Sequence, residues 1–179
     1  TRSVVFNDYS YFTNRWSASN STGYFQYQFS KIDSKGLNLV VIDDQIDTTT
    51  YIVFSKIQKT SNGLFIEASA NTNYSTLNQQ YGVYRHDSLG VVDYYIDTTI
   101  YIYIYIKDLL ELPSKELILV GDVQEVTGSR NNEKLIIIKT DSLGHQIWKK
   151  TYKMTSKAWN GESISLCDDG GFIIGGAEI

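Results

Sequence analysis

Three occurrences of one short pattern at a fixed spacing constrain this chain more than any other feature. Lys31-Ile32-Asp33-Ser34-Lys35-Gly36 returns as Arg85-His86-Asp87-Ser88-Leu89-Gly90 and again as Lys139-Thr140-Asp141-Ser142-Leu143-Gly144. Both intervals are 54 residues. A period of that size marks a repeat architecture, in which each unit buries its apolar faces against its neighbours. Tyr alone supplies 14 residues and Pro only one. With Ile, Val and Thr also frequent, the units read as β structure, because these side chains suit a pleated, half-buried surface.

The third copy shows what a unit contains. Leu135-Ile136-Ile137-Ile138 is a continuous apolar run, as a strand covered on both faces requires. It meets Asp141-Ser142-Leu143-Gly144, where the Asp can bond its own backbone two residues on and the Gly supplies a positive φ. A returning strand over 147–152, an alternating segment at Ser163-Ile164-Ser165-Leu166, the hairpin signal Asp168-Asp169-Gly170-Gly171 and the run 172–176 follow. Residues 135–176 therefore read as one four-stranded blade. The middle copy repeats the order, with Leu112-Pro113-Ser114-Lys115 at its second turn; the first closes through Thr60-Ser61-Asn62-Gly63.

Four short strands per unit are the arithmetic of a β-propeller. The expected fold is all-β: four-stranded antiparallel blades in a single repeat domain over 1–179, with periods of about 7–60, 61–114 and 115–179. Val4-Val5-Phe6 precedes the Asp33 turn much as Leu64-Phe65-Ile66 precedes the Asp87 turn. About three blades plus one strand are thus expected, an incomplete ring, since propellers typically close with four to eight blades. The open end, around Phe172-Ile173-Ile174, should expose an apolar sheet face. Trp148 and Tyr94, each four residues past the turn Gly, are expected between blades.

The string from Lys139 through Trp148-Lys149-Lys150-Thr151-Tyr152 to Asp168-Asp169-Gly170-Gly171-Phe172-Ile173-Ile174-Gly175-Gly176 resembles the repeat of secreted Bacteroidetes β-propeller proteins. The likeness is close over 134–176 and weaker over 81–121, where Tyr94 stands at the Trp position and Pro113-Ser114-Lys115 replaces Asp-Gly-Gly. It is weakest before residue 70. The resemblance implies a secreted or cell-surface bacterial protein, exported after removal of a leader, in a family whose members are often substrates of the type IX secretion system. It also implies O-glycosylation at Thr48, Ser88, Thr98 and Ser142, each following an Asp. The Asp turn is similar to the Asp-box of sialidase-type propellers, but carries two residues rather than one between Asp141 and Gly144.

Little in the chain points to catalysis. The two histidines, His86 and His145, flank the repeating turn and read as solvated loop residues. No metalloprotease, nucleophile-elbow, phosphate-loop or dinucleotide pattern occurs. Asp43, Asp44 and Asp47 lack the glycine and terminal Glu of a calcium loop, and no metal or other cofactor is expected. Cys167 is the sole cysteine, which excludes an intrachain disulfide; it reads as a small core residue. A net charge of -4 gives no attraction to nucleic acid, and no apolar stretch of transmembrane length is present. The basic run Lys149, Lys150, Lys153 and Lys157 reads as a solvated face.

The expected function is a non-enzymatic scaffold or recognition module. Its partner, a protein or glycan, would bind the loop face or the central channel, with Tyr9, Tyr11, Phe12, Trp16 and Trp159 as candidate contact aromatics. Two alternatives stay open: a glycan-active propeller enzyme of sialidase-like or lyase type, and cargo or a subunit held among secretion-system components.

Overall fold

The computed structural model describes residues 3–6, 10–18, 25–32, 38–44, 50–73, 76, 78–87, 91–124, 134–153 and 159–178. Side-chain environments are described from residue 56 onward, with Val91, Val92, Trp159, Asn160 and Glu178 excepted. The described residues contain strands and turns and no helix. The strands are β1 (Ser3–Phe6), β2 (Ser10–Ala18), β3 (Phe25–Ile32), β4 (Asn38–Asp44), β5 (Thr50–Lys59), β6 (Phe65–Asn73) and β7 (Gln79–His86). They continue as β8 (Val91–Ile96), β9 (Tyr103–Glu111), β10 (Leu117–Gln124), β11 (Lys134–Thr140), β12 (Gln146–Tyr152), β13 (Trp159–Leu166) and β14 (Phe172–Glu178).

These strands form three four-stranded antiparallel sheets, β1 to β4, β5 to β8 and β9 to β12, followed by the β13–β14 hairpin. The all-β, four-stranded antiparallel organisation expected from the repeat is therefore present. The grouping of strands differs from the sequence reading. Residues 135–152 complete the third sheet, whereas 163–176 belong to the hairpin, so the 135–176 unit straddles two sheets. Periodicity alone cannot say where one sheet ends, because a frame shifted by two strands has the same period. The Asp141 turn accordingly joins the third and fourth strands of its sheet, and in sequence Asp33 and Asp87 fall between the corresponding strands of theirs. Val4, Val5 and Phe6 lie in β1, the first strand of its sheet, whereas Phe65 and Ile66 lie in β6, the second strand of its sheet, so the expected correspondence between these two segments does not hold.

The repeat extends to the pairing register. A bulge interrupts the third strand of each sheet at Lys31/Ile32, Arg85/His86 and Lys139/Thr140. These positions keep the 54-residue spacing. The partner strand breaks it once: Lys139 pairs with Trp148, but Arg85 pairs with Asp93 and Tyr84 with Tyr94. His86 pairs with Val91, five positions on, whereas Thr140 pairs with Gln146, six positions on, and a one-residue slip exchanges the two faces of a strand. Tyr94 is consequently 59% exposed and stacks on Tyr84 at 5.5 Å, while Trp148 is half-buried. The expected burial of Tyr94 is thus overturned and that of Trp148 only partly met.

The second sheet is covered on one face by the third, and the third by the hairpin. Ile66, Ala68, Tyr81 and Val83 of the second sheet join Ile104, Leu109, Leu117, Leu119, Ile136 and Ile138 of the third in one core. On the opposite face of the third sheet, Ile118, Val120, Leu135 and Ile137 meet Ile164, with Phe172 and Ile174 of the hairpin packed against them. β9 lies over β5, β6 and β7, and β13 repeats the offset over β9, β10 and β11.

Four turns share one geometry. In each, the first residue's N–H donates to the carbonyl of the fifth and its carbonyl accepts the N–H of the fourth: Thr60 to Leu64, Leu112 to Glu116, Asp141 to His145 and Cys167 to Gly171. The fourth residue has positive φ, at Gly63 (89°), Lys115 (71°), Gly144 (99°) and Gly170 (83°). This is a type I turn closed by a left-handed residue, a common hairpin connection. Asp141 adds the expected side-chain bond two residues on, accepting from the Leu143 N–H at 2.8 Å.

Candidate functional site

Both the second and third sheets direct their tight turns to one end, and between those turns lies a pocket of about 160 Å3. The second sheet contributes Thr60, Asn62 and Leu64 of the β5–β6 turn, Ile66 of β6 and Arg85 of β7. From the third come Glu111 at the end of β9, Lys115 of the β9–β10 turn and Ser142 of the Asp141 turn. Leu64 and the buried Ile66 give the pocket an apolar lining. Its rim is charged.

Hydrogen bonds lock the two turns to each other. Glu111 Oε2 accepts the Ser61 N–H at 2.8 Å, and Lys115 Nζ donates to Ser61 Oγ. Arg85, only 10% exposed along its side chain, ion-pairs with Asp93 and donates from Nη1 to the Ser142 carbonyl at 3.0 Å. Lys115 stands apart. It occupies the left-handed position that glycine fills in the other three turns of this geometry. A side chain there costs roughly 1–2 kcal/mol. Among the described residues it forms no salt bridge to a carboxylate.

A second group of charges follows β5, β9 and β13. Each has a bulge, between Phe54 and Ile57 in β5, between Lys107's neighbours Ile106 and Asp108 in β9, and at Glu162 in β13. The bulge side chains link successive strands: Lys56 to Asp108 at 3.0 Å, and Lys107 to Glu162 at 2.8 Å and to Asp122 at 3.5 Å. Burial works against the charge of Lys107, but Glu162 and Asp122 outweigh it and hold its pKa above the ordinary lysine value. Burial raises the pKa of Asp122 against the pull of Lys107. Asp122 and Asp108 also accept the backbone N–H groups of Gly161 and Ile164, both at 3.0 Å. These carboxylates tie β13 to the third sheet.

On the outer strands, Tyr95 meets His145 edge-to-face at 4.5 Å, and Lys149 lies 5.1 Å from the centre of the Tyr101 ring. Burial, and after it Asp97, pushes the Tyr81 hydroxyl far above the usual phenol range. Tyr84 is raised chiefly by burial as well, so these hydroxyls act as neutral donors at physiological pH.

The candidate residues are distributed as follows. Asp141 and Gly144 form the turn described above, with Gly144 left-handed as expected; Asp87 follows β7, and Asp33, Gly36 and Gly90 lie outside the described residues. Tyr11, Phe12 and Trp16 fall within β2 and Trp159 within β13, so their backbones are strand rather than loop. Their side chains, and Tyr9 entirely, lie outside the described residues, as do Thr48 and Ser88. Thr98 and Ser142 are exposed. Asp43 and Asp44 end β4, and Asp47 lies outside the described residues. No cluster of three or more His, Cys, Asp or Glu suited to a metal occurs among the described residues.

His86 departs from its reading as a loop residue. It is the last residue of β7, wholly buried, with Nε2 3.4 Å from Oε2 of the equally buried Glu67. His145 is exposed, as expected, and bonds Asp141 at 2.8 Å. Cys167 is half-buried at the head of its turn rather than in a core. Lys149, Lys150 and Lys153 are solvated; Lys157 lies outside the described residues. No described helix is long and apolar enough to cross a membrane.

Arg85, Glu111 and Lys115 were not among the sequence candidates. Signals existed for two of them. Arg85 holds the basic position that opens each copy of the repeat, and Lys115 marks the one turn that lost its glycine. No protein-family model matches the chain, and no curated protein matches it.

Proposed function

We propose that the chain is part of a β-propeller serving as a non-enzymatic recognition or scaffold module of a secreted or cell-surface bacterial protein. The observation that carries this reading is the repeated offset, with β9 laid across the second sheet and β13 across the third. That stacking places the tight turns of successive sheets along one end and leaves a pocket between them. Such a surface suits binding, since loops held by a rigid scaffold are where recognition concentrates. Its ionised groups are largely spent on holding turns together, as Glu111 and Arg85 illustrate. That arrangement favours a fixed shape over proton transfer.

The test is a binding screen of the chain against glycans and extracellular proteins, run beside chromogenic glycosides as a check for turnover. Binding that is lost on substitution at the turn end, with no turnover, is the expected result. Turnover abolished by a single carboxylate substitution would falsify the non-enzymatic assignment.

A further inference from the structure

The geometry points to the pocket between the β5–β6 and β9–β10 turns as a site for the carboxylate of a sugar acid, with Lys115 as the recognising cation. This assignment rests on the recognition reading above. Most of the acceptors are occupied: Asn62 Oδ1 takes the Leu64 N–H at 3.3 Å and the Thr60 hydroxyl, Glu111 Oε2 takes the Ser61 N–H, and the Ser142 carbonyl takes Arg85, while Glu111 Oε1 accepts no hydrogen bond among the described residues. Donors remain. Lys115 has three N–H groups and gives one to Ser61; Arg85 has five and gives two, to Ser142 and Asp93. The Asn62 amide NH2 adds two more. A donor-rich pocket lined by an ammonium that meets no carboxylate among the described residues calls for an anionic ligand rich in acceptors.

Size and lining narrow the class. At about 160 Å3 the pocket is well below the range for drug-sized ligands and suits one compact ring. Leu64 and Ile66 offer that ring an apolar surface. A peptide C-terminus is commonly captured by free backbone N–H groups. Here the N–H groups of Thr60, Ser61, Gly63 and Leu64 are all bonded within or between the turns, which leaves recognition to side chains. The strained backbone of Lys115 fits this role. Glycine would satisfy the turn better, so a lysine kept at φ 71° is explained by what its ammonium does.

Calorimetric titration with glucuronate, methyl glucoside and an acetylated dipeptide tests the assignment, using the full chain and Lys115→Gly. Glucuronate is expected to bind at millimolar concentration or below, at least about tenfold tighter than the neutral glucoside. Lys115→Gly should lose that preference while melting at the same or a higher temperature. A lower melting temperature would identify Lys115 as a brace between turns and overturn the proposal. Undiminished binding by the variant, or equal binding of the dipeptide, would overturn it too. If glucuronate fails but another glycan or protein binds in the broader screen, the sugar-acid assignment falls alone. If nothing binds, the recognition reading falls with it.

Discussion

Ile118 of β10 and Ile173 of β14 occupy the same place, the second residue after a turn of the same geometry, and meet opposite fates. Ile118 is 1% exposed and Ile173 is 64% exposed. Ile66 in β6, at the corresponding place, is also buried. The three side chains are identical, so the difference comes from the neighbour. The third sheet covers Ile66 and the hairpin covers Ile118, while nothing among the described residues covers Ile173. In a stack of sheets, burial belongs to the interface, as expected where stability is carried by contacts between adjacent units.

The largest effect should come from breaking this pair. Ile118→Ala is expected to cost about 2–5 kcal/mol, the range for truncating a buried aliphatic side chain. Ile173→Ala should stay within about 0.5 kcal/mol, as surface substitutions usually do. Chemical denaturation of both variants measures the contrast. Equal losses would mean that Ile173 is covered in solution, and light scattering on the chain would then show association. Ile173→Asp should reverse any such association without unfolding the chain.

Next in size is the seam between the third sheet and the hairpin. Asp122 is 2% exposed, and its Oδ1 accepts the Gly161 N–H. Asp122→Ala would leave that buried donor without its partner, at a cost of about 1–3 kcal/mol. Hydrogen exchange should locate the damage, with β13 losing protection while β6 and β7 keep theirs. Uniform loss across all sheets would contradict the view that interfaces fail one at a time.

A smaller contrast separates two turns of identical geometry. Gly144 has φ 99°, and a Cβ there would lie 2.9 Å from Cβ of Val83 on the second sheet. Gly170 has φ 83° and nothing within 4 Å. Gly170→Ala should cost about 1 kcal/mol from backbone strain alone, and Gly144→Ala about 2 kcal/mol, because the clash adds to the strain. Equal costs would show that the Asp141 turn does not press on the second sheet.

These comparisons also show what could be read in the sequence. The period, the strands and the turns were legible because they rest on local chemistry: apolar runs such as 135–138, glycines at positive φ, and an Asp that folds onto its own backbone. Sheet boundaries were not, because the 54-residue interval is the same from any starting strand. Tyr94 misled for a related reason: the sequence aligns it with Trp148, and only the pairing register reveals the slip. His86 misled because the sequence that follows it reads as a turn while its neighbour in space is Glu67. The pocket needed two sheets brought together, and only Arg85 and the missing glycine at Lys115 hinted at it.

The smallest effect belongs to the Asp141–His145 contact, and it carries a definite sign. Burial would raise the Asp141 pKa, but the His145 ring and the backbone N–H groups of His145 and Leu143 outweigh it and hold the carboxyl below its ordinary value. An acid whose folded pKa lies below its unfolded value binds fewer protons when folded. Its stabilisation is complete above the unfolded value of about 4 and disappears as pH falls through the folded one. Asp141 is 42% exposed, so solvent screening limits the contribution to less than about 1 kcal/mol. Asp141→Asn should therefore lower stability slightly at neutral pH, and the deficit should vanish in acid. Melting curves from neutral pH down to pH 2 would measure both limbs. A deficit that persists unchanged at the acid end would show that the loss does not come from the charge of Asp141, and would assign it to the Oδ2 contact with His145 Nδ1, where Asn presents an amide NH2 instead.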